Sequence, residues 1–481
     1  MKTDLVLRDF QRRAWKLVNV YGRYALYFPV GSGKTLAGLA VLAEQISRGN
    51  DRWLVVAPIS VVPGWLGAAA RWFPEMRIWS PAKVYGKRDH LATLARWGVT
   101  DYDPREAEIV CFRKAQVVVL NKHIIIPRKI GTDARGHVIH EDRAWARSNY
   151  DGLIVDESDI FGDPKSLVTK TFLRIAGRVN KLVLLSGLPS PKDGLDLWAQ
   201  GYALGCWQDK YFAFCQRHGV QDHFRAWSVR EDGAEEILRL LKTRAWFLTD
   251  ISSLGIPESQ KIIRWYRSSD ARVPALGRSV SGVAAVVAAA FKGLGTRYEK
   301  SRQITAGFLR LRAPDGVNHV TELHGDRLQA LDELLDELGT EPAIIWYMHT
   351  WTRDKVFLNL CKRGSTATFA GDGVGAREQA QRWADFCAGK YQFFIAHPLS
   401  VGKGTDGAQA LCSVAIWAEN TNSYRDWHQA EGRLVRSGQT KPVRNFCLAE
   451  EASIDQQLLD CVEQKKEWAD YVRENLENTG N

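Results

Sequence analysis

Two short stretches of this 481-residue chain hold residue types spaced for phosphate chemistry. In LYFPVGSGKTLAGLA, residues 26–40, an apolar run leads into Gly31-Ser32-Gly33-Lys34-Thr35 and then into a helical pattern. The N–H groups of such a turn point at an anion, and the dipole of the helix that follows adds to the attraction. Lys34 would reach the β- and γ-phosphates of a nucleotide, and Thr35 would hold a magnesium ion. The general phosphate-loop pattern carries a glycine where this chain has Phe28. The second stretch is LIVDESD, residues 153–159, an apolar run ending in acid. Asp156 there would bind magnesium through water, and Glu157 would polarise an attacking water.

The elements that must position these groups read as an α/β pattern with parallel sheets. Strand-length apolar runs occur at YALYF, WLVVAP, AQVVVLN, YDGLIVDE and NKLVLLSG in the first half. A second series follows at PAIIWYM, ATFAGD, QFFIAH, SVAIWAE and VRNFCLA. Ligands collect at the carboxyl ends of strands in open α/β sheets, where several of these runs end in small, polar or acidic residues. Between the series, residues 195–310 are rich in Trp, Phe and Ala and mostly helical in pattern, with VSGVAAVVAAAFKGL (280–294) as one apolar helix. The last residues, CVEQKKEWADYVRENLENTGN, predict an amphipathic helix fraying into a tail.

The order of these motifs resembles the superfamily-2 helicase-type ATPases, most closely the Swi/Snf family of double-stranded DNA translocases, which likewise use a strand end followed by G-x-G-K-T. LRDFQRRAW (7–15) is similar to that family's adenine-reading segment, with Gln11 in place of the glutamine that bonds the base. LVVAPISVVPGWLGAAARWFP (54–74), VVVLNKHII (117–125), LLSGLPSP (184–191) and GLDLWAQ (194–200) resemble the blocks that follow. In the second half AIIWYMHT (343–350) and FAGDGVGAREQAQRWADF (369–386) match in the same way. WHQAEGRLVRSGQTKPV (427–443) resembles the family's Q-A-x-G-R-x-x-R-x-G-Q-T block almost residue for residue. One block departs: SVGKGTDGAQA (400–410) keeps Gly402 and Gly404 but has Thr405-Asp406-Gly407 where the family has Leu-Asn-Leu.

The resemblance implies two tandem RecA-like lobes with helical protrusions between them. The first would be a nucleotide-binding lobe over 1–236, the second a helicase lobe over 237–481 with an insertion near 270–310. It implies ATP and Mg2+ as cofactors. Lys34, Asp156, Glu157, Arg433 and Arg436 would be catalytic, the two arginines three apart on one helical face and reaching the γ-phosphate. Gln11, Gly31, Ser32, Gly33, Lys34, Thr35, Gly404 and Gln429 would bind the nucleotide, with Thr35 and Asp156 on the metal. Duplex DNA is the implied partner, gripped by its backbone through Ser60, Asn121, His349, Thr350, Ser400 and Lys403, although a strand-end hydroxyl or amide is as readily a turn or cap. Arg302, Arg310 and Arg312 form a basic ladder that would line a groove or face solvent.

Composition bounds the rest. A net charge of +10 leans towards polyanions. The charged N-terminal MKTDLVLRDF predicts no signal peptide, and no run is long enough to span a membrane. Eight scattered cysteines without a C-x-x-C pair predict no zinc ribbon or disulfide framework and a reducing, cytoplasmic compartment, the host's if the chain is phage-encoded. With both lobes on one chain a monomer suffices, with a recruiting protein as a further partner. Three functions follow: a duplex translocase remodelling forks or displacing bound proteins; a strand-separating helicase, using PRKIGTDARGHVIHEDRAW (127–145) as a wedge; or a degenerate binding module, for which the altered KGTDG speaks and the intact Lys34, Thr35, Asp156, Glu157, Arg433 and Arg436 do not.

Overall fold

Strands that are apolar on both faces need cover on both faces, and parallel sheets flanked by helices supply it. The computed structural model describes residues 7–59, 61–81, 87–132, 138–141, 144–190, 193–222, 227–248, 255–269, 294–312, 318–369, 374–401 and 407–477. It divides into two compact units, the first taking in Met1–Ile251 and the second most of Ser252–Glu467. Each unit is built on one parallel sheet, so the chain is α/β with two RecA-like lobes.

In the first unit the strands are β1 (Arg23–Tyr27), β2 (Trp53–Val56), β3 (Ile78–Trp79) and β4 (Val117–Leu120), then a separate antiparallel pair β5 (Arg128–Thr132) and β6 (Val138–Glu141). β7 (Gly152–Asp156) and β8 (Lys181–Ser186) follow, then a small antiparallel pair, β9 (Gly219–Gln221) with β10 (Trp227–Val229), and finally β11 (Ala245–Phe247). The sheet order is β11-β1-β8-β7-β2-β4-β3, every neighbour parallel. Residues along each strand alternate between two cores, Ala25 and Tyr27 on one side against Tyr24, Leu26 and Phe28 on the other. The expected lobe boundary at 236 falls inside the helix Glu231–Leu241, and the unit runs on to Ile251 because β11 pairs with β1.

The second unit comprises β12 (Ser259–Tyr266), an antiparallel pair β13 (Phe308–Arg312) and β14 (Asn318–Glu322), then β15 (Ala343–Trp346), β16 (Thr366–Thr368), β17 (Phe393–Ala396), β18 (Val414–Trp417) and β19 (Val443–Glu450). Its sheet order is β12-β19-β18-β15-β17-β16, again parallel throughout.

Among the described residues of the segment between the two strand series, helices Trp198–Leu204, Tyr211–His218, Glu231–Leu241 and Leu294–Thr305 alternate with the antiparallel pair β9–β10 and with β11 and β12. The apolar helix expected at 280–294 lies outside the described residues except for its last position. In the basic ladder, Arg302 is largely buried on the helix Leu294–Thr305, while Arg310 is exposed on β13. The terminal helix runs from Ile454 to Glu477. Among the described residues no helix is long and apolar enough to cross a membrane. All eight cysteines are free.

Candidate nucleotide-binding site

Because β1, β7 and β8 are parallel neighbours, their carboxyl ends bring three segments together. Tyr27 pairs with Ser186, and Asp156 with Leu185. The phosphate loop therefore leaves the sheet beside both the acidic strand end and the Ser186-Gly187-Leu188-Pro189 turn.

Phe28, in the place of the missing glycine, is fully buried and meets Phe10 and Trp246 edge-on at 5.4 and 5.2 Å between ring centres. The chain is still serving the core there, and the tight turn begins after it. Gly31 and Gly33 take φ of 79° and 88°, a left-handed conformation that side chains disfavour. A Cβ on Gly33 would come 2.8 Å from Gln11 Nε2. Helix Lys34–Ser47, rich in Leu and Ala, starts at this turn, with Lys34 and Thr35 in its first turn. Lys34 is buried, and its Nζ donates to the carbonyls of Phe28 (3.0 Å) and Pro29 (3.3 Å). Ser32 Oγ donates to Pro29 O at 2.7 Å. Gln11 is almost fully buried; its Oε1 accepts from Arg8 N at 2.9 Å and its Nε2 donates to Gly33 O at 3.3 Å. It thus fastens the first helix to the loop.

Asp156 closes β7 and is buried. Its Oδ2 accepts from Trp65 Nε1 at 2.9 Å. Trp65, itself fully buried on the helix Val62–Trp72, also presses on the phosphate-loop helix, where a Cβ on Gly38 would lie 2.5 Å from its ring. Glu157, next in sequence, has φ 58° and ψ 60°. A second connection runs through the buried amide of Gln200. Its Oε1 accepts from Tyr27 Oη (3.1 Å) and Ser158 Oγ (2.7 Å), and its Nε2 donates to Pro189 O (2.8 Å). One side chain so joins the end of β1, the acidic segment and the Ser-Gly-Leu-Pro turn. A Cβ on Gly187 of that turn would stand 3.3 Å from Lys34 Nζ and from Phe28 O.

These residues fit a magnesium–nucleotide: glycines where a Cβ would obstruct, a buried lysine and a carboxylate one strand apart. Among the described residues no group of three or more His, Cys, Asp or Glu forms a metal centre of its own. Sequence reasoning marked Lys34, Thr35, Asp156 and Glu157, but gave no role to Trp65 or Gln200, whose partners lie far along the chain.

In the second unit the arginine block differs from the expected helical face. Ser423 caps a helix Tyr424–Glu431 that carries Gln429 and then ends. Gly432 to Gly438 run through turns, so Arg433 and Arg436 do not share a helical face; Arg433 is buried and Arg436 partly exposed. Gln439, also buried, holds the turn, donating to Cys412 O at 2.8 Å and accepting from the N–H groups of Thr440 and Lys441 at 3.0 Å each.

Of the residues expected at DNA, Ser60, Lys403 and the nucleotide candidate Gly404 lie outside the described residues. Asn121 is buried and caps the helix Lys122–Ile125, its Oδ1 accepting from His123 N (2.9 Å) and Ile124 N (3.2 Å). His349 has both ring nitrogens committed, Nδ1 to Glu419 at 2.7 Å and Nε2 to Glu299 at 2.8 Å. Burial opposes a charged ring, but the bonds to Glu299 and Glu419 outweigh it and raise its pKa to about 9. Burial likewise opposes the Glu419 carboxylate, yet His349 and the N–H groups of Met348 and His349 hold its pKa down to about 2. Thr350 is exposed at the start of the helix Thr350–Leu360, and Ser400 is half-buried in a turn after β17.

Comparison with known proteins agrees with the motif order. Residues 29–207 match the model of the SNF2-related domain. The ISWI chromatin-remodeling complex ATPase ISW1 of Saccharomyces cerevisiae is 24% identical over 474 residues, covering 91% of this chain and 37% of that protein. The chromatin-remodeling ATPase INO80 of Arabidopsis thaliana is 26% identical over 207 residues, 40% of this chain and 12% of its own length. The chain therefore spans little more than a third of one remodeller and about an eighth of the other. A putative protein p41 of Acyrthosiphon pisum secondary endosymbiont phage 1 is 23% identical over 499 residues and matches over 93% of both chains. With its motifs in order on two parallel sheets, the chain is similar to the Swi/Snf-type superfamily-2 helicase-like proteins, and residues 29–207 carry the match to the SNF2-related domain.

Proposed function

We propose that the chain hydrolyses ATP at the carboxyl edge of the first sheet and uses the turnover to move on duplex DNA, remodelling forks or displacing bound proteins. The observation that supports this reading best is the convergence of Lys34, Asp156-Glu157 and Gly187 on three neighbouring strand ends. Bound magnesium–ATP would supply the electrophilic phosphorus and neutralise charge on its oxygens. Lys34 would bind the β- and γ-phosphates, Thr35 and Asp156 would hold the ion, and Glu157 would orient water and take its proton. Gln11, Gly31, Ser32, Gly33, Gly404 and Gln429 complete the proposed nucleotide set. Arg433 and Arg436 are the arginines proposed to stabilise charge developing in transfer. Gly187 lies near Lys34, where an added Cβ would stand 3.3 Å from Nζ, while its turn bonds Gln200, a route by which nucleotide state would reach the rest of the unit.

DNA would be held by its backbone, through Thr350 and Ser400 among the described candidates. His349 would contribute fixed charge rather than a free donor, since both its nitrogens are bonded. A monomer acting in the cytoplasm, directed by a recruiting protein, fits this scheme. A strand-separating helicase is the second reading, favoured by the antiparallel pair β5–β6, which places a hairpin within the segment suited to a wedge.

Steady-state ATP hydrolysis without nucleic acid, then with single-stranded, blunt duplex and forked DNA and with RNA, separates the readings. Strong stimulation by blunt duplex, lost by at least about 10²-fold in Glu157→Gln, is the expected result. Stimulation by single strands alone would favour unwinding, and absence of turnover on every substrate would favour a degenerate binding module.

A further inference from the structure

The helix Leu294–Thr305 sends two charged side chains to the carboxyl edge of the second sheet. Glu299 Oε1 accepts from His349 Nε2 at 2.8 Å, and Arg302 donates to Asn420 O at 3.4 Å. Just beyond β18, a single carboxylate grips the same histidine. Glu419 Oε2 accepts from the N–H groups of Met348 (2.7 Å) and His349 (2.8 Å), and its Oε1 accepts from His349 Nδ1 at 2.7 Å. Phe308 of β13 meets the ring edge-on at 5.4 Å between ring centres. The turn from Met348 to Thr350 is therefore fastened by three separate segments, one of them a helix fifty residues earlier in the chain.

Two carboxylates accept from one imidazole, so both ring nitrogens carry hydrogen and the ring is a cation. Arg302 of the same helix, Arg327 of the helix Asp326–Leu338 and Asp455 of the terminal helix line a small hollow with the ring, and His397 stands after β17. Arg327 and Asp455 pair with each other, and burial holds His397 below its usual pKa. The two glutamates thus set the charge of His349. Loss of the ring proton would leave one nitrogen without hydrogen and break one of the two bonds. The Glu419 side chain is 5% exposed and that of Glu299 is 43% exposed. A buried carboxylate is the costlier one to leave unpaired, so Glu299 is the partner released.

We propose that Glu299 is a positioning residue for DNA binding: through His349 it fixes the turn from which Thr350 meets the phosphate backbone. Thr350 is exposed and opens the helix Thr350–Leu360, whose first turn holds no acidic side chain. Glu299 itself touches no phosphate. Its role rests on the reading that Thr350 faces DNA.

The test measures binding of a fluorescein-labelled blunt duplex by anisotropy, and ATP hydrolysis without DNA, for the full parent chain, Glu299→Ala and Glu299→Gln. At about pH 7, Glu299→Ala should weaken duplex binding about tenfold while DNA-free hydrolysis stays within about twofold of the parent. Glu299→Gln keeps an oxygen that accepts from Nε2 but has no charge to hold the imidazolium. At about pH 6 it should bind duplex within about threefold of the parent, and it should lose affinity earlier than the parent as pH rises. A residue that only supports the fold would not move that pH profile. A parent that binds no duplex overturns the DNA reading and the proposal with it. The proposal alone is overturned if a parent that binds duplex is matched by Glu299→Ala. Equal loss of binding and of DNA-free hydrolysis in Glu299→Ala, or coincident pH profiles for the parent and Glu299→Gln, would overturn it too.

Discussion

Trp65 touches no phosphate in the proposed scheme, yet it decides where Asp156 points. Its indole N–H is bonded to one carboxylate oxygen and its ring is wedged against Gly38 of the phosphate-loop helix. Groups that orient a metal-holding carboxylate typically shift metal affinity by about 10- to 100-fold when removed. Trp65→Phe keeps an aromatic ring and deletes the donor. The magnesium concentration for half-maximal turnover should rise about tenfold, with nucleotide affinity in the absence of magnesium unchanged. If the ring only fills space, the substitution will lower the melting temperature and leave the magnesium dependence alone.

At the scale of elements, the end of β15 carries a charge cluster with a pH signature. In the folded unit the His349 ring stays protonated up to about pH 9, against 6.5 for an unperturbed ring, so its stabilising contribution is complete below pH 6.5 and is lost as pH rises through 9. Glu450, on β19, acts in the same direction. Burial first of all, then Asp455 and Asp326 against the pull of Arg327, lifts its pKa from 4.5 to about 7, so the fold is penalised as pH rises across that interval. Thermal melts of the chain between pH 6 and 10 should therefore fall with rising pH. Glu450→Gln should raise the melting temperature at pH 8, and His349→Gln should flatten the decline between pH 7 and 9. These elements also show what the sequence could and could not tell. Apolar runs bounded by motif residues revealed the sheets, because burial on both faces leaves a local pattern, and Lys34, Thr35, Asp156 and Glu157 sit in continuous segments. Glu299, which occupies His349, follows a stretch without a motif, and Glu419 lies seventy residues away. Asn121 caps a helix, as strand-end amides so often do. Arg433 and Arg436 had helical spacing, but Gly432 follows the helix end, and spacing alone does not show where a helix stops.

For the molecule as a whole, the proposed scheme divides the chemistry between the units: the phosphate loop and the acidic strand end belong to the first, and Gln429 and the two arginines to the second. Arg433→Ala should therefore lower DNA-stimulated turnover by about 10³-fold or more while fluorescent-nucleotide affinity stays within about twofold of the parent. Equal loss of both would mean that Arg433, already buried, serves the fold of its own unit. The backbone at Glu157 bears on a longer timescale than any assay. Among the described residues only Glu157 and Ala452 hold a positive φ without being glycine, an arrangement that costs about 1 kcal/mol or more. Glycine or asparagine would relieve it, so folding and the catalytic role proposed for Glu157 pull position 157 in opposite directions. In a lineage released from the need to turn over nucleotide, drift would run downhill at that position, and the identity of residue 157 in a divergent copy becomes a record of whether its engine is still under selection.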